Sequence, residues 1–205
     1  MLGLLSDPIV FIISAIGLIF SLTVHEFAHA IVADHLGDPT PRSQGRVTLN
    51  PLAHLDPLGT LALLLVGFGW GKPVQFDPYN LANPVRDSSL IALAGPATNL
   101  LIACVLAIIL KLPIIPNDFL YFALRQVAII NVVLAIFNLV PVHPLDGSKI
   151  ILSLLPHNLA YDYEVFMRQY GMFILIALII PWYNGMSPIS ALISPVITIV
   201  TRFLL

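Results

Sequence analysis

Long apolar runs alternate with short polar segments along this chain. The apolar runs cover residues 8–36, 58–70, 88–110, 118–140, 169–180 and 188–205. A helix of about 17–25 apolar residues crosses the hydrocarbon layer of a bilayer, so 8–36, 88–110 and 118–140 are predicted to span. Pro8 suits a first helical turn and Gly37 a helix stop. The run 58–70 is too short to cross and closes on Gly67, Gly69 and Gly71, which predicts a re-entrant or partial segment. Residues 157–168 read as a polar segment ahead of a helix over 169–180, and 181–185 as an interfacial turn anchored by Trp182 and Tyr183. The last run is interrupted at Pro195. The expected fold is an all-α polytopic membrane protein with about five to six membrane segments, one of them re-entrant.

Two polar stretches break the helical pattern. Residues 45–50 and 73–77 have short strand-like alternation between Pro-, Asn- and Gly-rich flanks. Irregular backbone near a membrane has to be covered by protein or line a wet cavity. The two pieces are expected either to pair as a small membrane-edge β-sheet or to form an interfacial loop.

Composition agrees with the pattern. Of 205 residues, 58% are hydrophobic and 10% charged, against about 25% charged in soluble domains. The net charge of −2 by itself rules out little, but there is no basic patch, so no nucleic-acid partner is expected. A single cysteine, Cys104, precludes an intrachain disulfide and reads as a small core residue. No cation precedes Arg42, and the first apolar run carries chemistry, so it is not expected to be a cleaved signal peptide.

That chemistry is His25-Glu26-Phe27-Ala28-His29, an H-E-x-x-H pattern inside the first span. At this spacing both imidazoles share a helix face and can hold Zn²⁺, while Glu26 can take a proton from a water on the metal. Ionisable groups inside an apolar span are costly and usually functional. A hydrolytic zinc wants a third protein ligand. His54, His143 and Asp146 are candidates. Asp146 stands on irregular backbone after Pro141 and Pro144 and before Gly147, which suits a ligand and equally suits a cap for a helix over 148–155. An aspartate leaves a His₂Asp site at +1, where a third histidine leaves +2, and the lower charge costs less to bury.

The cations set the topology. With the first helix running outward to inward and 58–70 re-entrant, Arg42, Arg46, Lys72, Arg86, Lys149, Arg168 and Arg202 face the cytoplasm, and only Lys111 and Arg125 lie toward the outer side. His25, His29 and Asp146 then meet in the cytoplasmic third of a multi-pass cell-membrane protein.

Three motifs in order carry a family likeness: His25 to His29, then Gly95-Pro96-Ala97-Thr98-Asn99, then Asn138 through Gly147, which fits N-x-x-P…L-D-G. On these the chain resembles the site-2 protease family of intramembrane zinc metalloproteases, in its minimal form. The likeness covers about residues 8–155 as the core of one domain spanning 1–205, with accessory helices over 165–205. It implies zinc on His25, His29 and Asp146, Glu26 as general base, and Asn138 positioning substrate or the oxyanion. It also implies Asn99 packed beside the metal helix, and a membrane-edge sheet that would put Val74 and Phe76 near the substrate. The implied substrates are transmembrane helices of other membrane proteins in the bilayer, cut near the cytoplasmic face. His143 departs from the family, which often has Pro there, and no PDZ insertion fits. The rival expectations are a non-proteolytic metal-binding protein of the same fold and a metal transporter.

Overall fold

In the computed structural model, which describes residues 7–66, 69–182 and 185–205, the apolar runs fold as helices with sequence-encoded ends. Helix α1, Pro8–His35, starts where Asp7 accepts the Ile9 and Val10 amides and has Pro8 at its first position. It stops ahead of Gly37, whose φ of 104° lies in the left-handed region. A single turn, α2 (Thr40–Ser43), and a ten-residue helix, α3 (Pro57–Val66), follow. Helix α4, Pro84–Lys111, passes through Pro96 without breaking. Helix α5, Asp118–Asn138, is capped by Asn117, which accepts the Leu120 amide. The rest are α6 (Asp146–Leu154), α7 (His157–Ile179) and α8 (Pro188–Leu204).

Helices α1, α4 and α5 pack on one another, and α6 lies on α4. Their interface is made of small residues. Ala30, Ala33, Ala103, Ala128 and Ala135 are wholly buried, and a Cβ on Gly17 would lie 3.1 Å from Val127 of α5. Small side chains let membrane helices approach closely where no hydrophobic force drives them together. The large apolar side chains point outward instead: Ile9, Ile12, Ile16 and Phe20 on α1, and Leu101, Val105 and Ile108 on α4, are exposed. Small and polar residues inside with bulky apolar ones outside is the arrangement a lipid solvent favours. A separate apolar cluster of Val140, Val142, Leu145, Leu175, Ile189 and Ile193 ties α7 and α8 to the segment after α5.

Among the described residues three helices are long and apolar enough to cross a membrane: α1, α4 and α5. That is fewer than the expected five to six segments. Helix α8 is apolar but shorter, and it runs unbroken through Pro195. The polar stretch 157–168 is not a separate segment but the first half of α7. Helix α3 is too short to span, in keeping with the re-entrant reading; Gly67 and Phe68 at its end, like Tyr183 and Asn184 of the interfacial turn, lie outside the described residues.

The expected strands are absent among the described residues. Residues 45–50 hold a turn and a bend without a strand, and 73–77 are irregular and unpaired with other backbone, Asp77 itself extended. One isolated antiparallel bridge joins Leu55 to Gly71. The reason lies in where the hydrogen bonds go. Lys72 N–H donates to the His54 carbonyl at 2.8 Å, Arg46 donates to the Lys72 carbonyl, Val74 N–H donates to Glu26, and Asp77 N–H to Asp38. Side chains and a loop carbonyl do what a neighbouring strand would have done.

Candidate metal centre

Helix α1 brings His25 and His29 to one face, one turn apart, and both rings are buried. The first residue of α6, Asp146, meets them from a helix that packs on α4. Its Oδ2 lies 3.1 Å from His25 Nε2 and 3.3 Å from His29 Nε2, and the two Nε2 atoms are 3.0 Å apart. Asp146 is therefore inside its helix and not its cap; Leu145 holds the cap position.

The far ring nitrogens decide what these three atoms can do. His29 Nδ1 lies 2.6 Å from the Ile91 carbonyl, a pure acceptor, so Nδ1 carries the proton. His25 Nδ1 lies 2.6 Å from Asn99 Oδ1. The Asn99 amide is fixed with its oxygen toward the ring, because its NH₂ donates to the Ser21 carbonyl (3.1 Å) and to Asn131 Oδ1 (2.8 Å). Asn131 in turn donates to Ser21 Oγ and to the Val127 carbonyl. Both neutral imidazoles thus present bare Nε2 lone pairs to each other and to a carboxylate oxygen that has no hydrogen-bond partner. Three lone pairs converging without a proton repel unless a cation lies between them. Ligands around tetrahedral zinc, at about 2.0–2.1 Å from it, stand about 3.3 Å apart, close to the separations found here. The donor set fits zinc, and among the described residues it is the metal-ligating group of this kind.

Room for the cluster comes from α4. A Cβ on Gly95 would lie 2.5 Å from His25 Cε1 and 2.5 Å from His29 Nε2, so only glycine lets α4 pass this close. Glu26 is buried beside the cluster and accepts the Val74 amide at 2.9 Å through Oε2.

The remaining expected residues are placed less uniformly. Asn99 does not face the metal atoms but holds His25 from behind. Val74 is buried and engages Glu26 through its backbone, and Phe76 packs beside Ala33, Leu81 and Ile91. Asn138 ends α5 with its amide donating to the Leu134 carbonyl at 2.9 Å, and among the described residues no hydrogen bond joins it to the cluster. His143 lies outside the cluster, against α7, where a Cβ on Gly171 would sit 2.7 Å from it. His54 is wholly buried in the loop after α1 and its Nε2 donates to the Thr48 carbonyl; burial, the first of its influences, lowers its pKa and keeps it neutral. Sequence reasoning missed Ser21 and Asn131, wholly buried behind His25, and Arg46, buried with its guanidinium on the Lys72 carbonyl. Their signal was polarity within or beside apolar runs, which names no partner.

Comparison with known proteins places this centre in context. The model of peptidase family M50 matches residues 113–178, the stretch that carries α5, α6 and Asp146. The chain is 42% identical over 149 residues to YwhC of Bacillus subtilis, a zinc metalloprotease by name, across 69% of this chain and 68% of that one. It is 31% identical over 180 residues to Rip2 of Mycolicibacterium smegmatis, also a zinc metalloprotease by name, across 83% and 68% of the two chains. A third such relative, from Methanocaldococcus jannaschii, is 34% identical over 143 residues, 70% of this chain and 71% of its own. No solved structure matches.

Proposed function

The chain belongs to peptidase family M50, a zinc metalloprotease family, and from that premise we propose that it cleaves transmembrane segments of other membrane proteins near the cytoplasmic face. One observation carries the reading: three unprotonated donor atoms converge inside an apolar bundle, with a carboxylate, Glu26, beside them. His25, His29 and Asp146 hold the metal. Zinc bound there supplies Lewis acidity, which makes a water a nucleophile near neutral pH and polarises a peptide carbonyl.

Glu26 is the general base. The Val74 amide fixes Oε2, which leaves Oε1 to take the proton from water. The water oxygen adds to the scissile carbonyl carbon, the C–N bond breaks, and Glu26 passes the same proton to the departing amine. A helical substrate hides its carbonyls in its own hydrogen bonds, so it has to unwind first. The unpaired segment 73–77 suits an unwound chain. Among the described residues the Gln75 and Phe76 amides and the carbonyls from Pro73 to Phe76 have no partner, so this edge can pair with a substrate backbone. Asn138 can serve the oxyanion only by exchanging its bond to the Leu134 carbonyl for one to substrate.

The test is cleavage of single-span membrane proteins in liposomes by wild type and by Glu26→Gln. The amide is nearly isosteric but cannot accept the proton. The variant is expected to bind zinc as wild type does and to lose turnover by at least about a hundredfold. Cleavage by the variant at a rate near wild type would remove Glu26 from the role. Retained zinc with no cleavage by either protein would favour a metal-binding protein that does not hydrolyse.

A further inference from the structure

Lys149 is a cation that the hydrolytic scheme leaves unused. It lies three residues after Asp146 on α6, so the two side chains emerge from neighbouring positions on one helix face. Its Nζ sits 4.4 Å from the centre of the Phe76 ring, on the unpaired segment whose Val74 amide holds Glu26. Lys149 thus bridges the two elements that flank the centre. Among the described residues its ammonium makes no ion pair and no hydrogen bond, and its nitrogen is not sealed from solvent. Contact with an aromatic face fixes the position of an ammonium and leaves its N–H groups free. A nearby anion has not claimed it either: Asp146 is turned to the two histidines and Glu26 to the Val74 amide.

We propose that Lys149 is a specificity-determining residue that receives an acidic side chain of the substrate close to the scissile bond. The inference rests on the protease reading above. An extended substrate laid along residues 73–77 runs past Phe76, and hence under the ammonium. A carboxylate arriving there gains a fixed, partly desolvated counter-charge, whereas a lysine meets a like charge. Lipid headgroups are the other source of anions at a membrane surface. They are disfavoured here because Lys149 is half-buried against Phe76, whereas Lys72 and Arg86 are exposed and meet the membrane surface more readily. Burial acts first on Lys149 and lowers its pKa, with the Asp146 and Glu26 carboxylates working against that shift.

The experiment uses the full chain with zinc in vesicles of neutral lipid, and a single-span substrate in which each residue near its cleavage site is changed in turn to Glu, Gln or Lys. At one position or a few adjacent ones, wild type is expected to cut the Glu form at least about tenfold faster than the Lys form by kcat/KM. Lys149→Glu should invert that ratio and Lys149→Met should bring it near one. A lysine that only supported the fold would lower all three rates together and leave the ratio alone. Zinc content is measured on every variant, and Lys149→Met keeps the ratio readable should the charge reversal fail to fold. An unchanged ratio in both variants overturns the assignment, as does a wild type with no charge preference at any position. Rates that follow added anionic lipid and not substrate charge also overturn it, and give Lys149 to headgroups. Absence of cleavage of every substrate by wild type would instead be failure of the protease reading, and the inference would fall with it.

Discussion

His25 shows how much one residue depends on neighbours far away in the chain. Its Nε2 is free for a metal only because its Nδ1 proton is fixed by Asn99, whose amide is in turn fixed by Ser21 and Asn131. Partners behind a ligand histidine commonly set its affinity by about 10–100-fold. Asn99→Leu is therefore expected to weaken zinc binding by about that factor, measured by competition with a chelator of known affinity, while Asn131→Leu should act in the same direction by a smaller factor. Equal zinc affinity in Asn99→Leu and wild type would show that the network is a packing feature alone. At this scale the sequence was informative wherever residue type constrains chemistry. Two histidines at helical spacing with a glutamate between them have few other uses, whereas the glycine after Asp146 does not mark irregular backbone: Gly147 lies in α6, where a Cβ would come 2.3 Å from the Leu139 carbonyl oxygen. Ser21 and Asn131 were not legible, because a serine or an asparagine in an apolar run has many ways to satisfy itself. What selects one is the register of α5 against α1, a tertiary fact.

Among the elements, the long helices were legible because apolar length and end signals act locally: Pro8 opens α1 and Gly37 follows its end, while the caps Asp7 and Asn117 were found only in the structure. For residues 73–77 the sequence left a sheet and an interfacial loop both open, and among the described residues no strand pairs there. Alternation of residue types permits a strand, but pairing is decided by who supplies the hydrogen bonds, and here Arg46, Glu26 and Asp38 do. The unpaired stretch offers a usable test. Gln75 N–H bonds nothing among the described residues, so Gln75→Pro removes no internal hydrogen bond, and Gln75 is exposed, so the ring meets no packed neighbour. The variant is expected to retain zinc and thermal stability and to lose most turnover, read as a fall in kcat/KM for an unwound-segment substrate. Normal cleavage by Gln75→Pro would show that substrate does not pair along this edge.

For the whole molecule, the packing determines how the chain threads the bilayer. Along α1 from Ser21 to His29, the partners on α4 run backward, from Asn99 to Ile91. Helices α1 and α4 are therefore antiparallel, and the end of α1 and the start of α4 lie on the same side. On α5 the partners of Gly17 and Ser21 run forward, from Val127 to Asn131, so α5 is parallel to α1 and delivers Asp146 to that side. The chain between α1 and α4 must leave and return on one side, which makes α3 a segment that does not cross, in agreement with its ten residues. Arg42, Arg46, Lys72, Arg86 and Lys149 belong to this side, and Lys111 to the other. The positive-inside rule leads to the expectation that the crowded side is cytoplasmic. In a Cys104→Ser background, single cysteines at Arg42 and Lys72 are expected to react with a membrane-impermeant thiol reagent only once the cytoplasmic face is opened to it, and a cysteine at Asn117 to react from outside in intact cells. All three positions are exposed, so reactivity reports sidedness and not burial. Labelling of positions 42 and 72 from opposite faces would mean that α3 crosses, which the antiparallel packing of α1 and α4 forbids. Labelling of both from outside would keep the threading and reverse its direction, moving the metal centre to the outer leaflet.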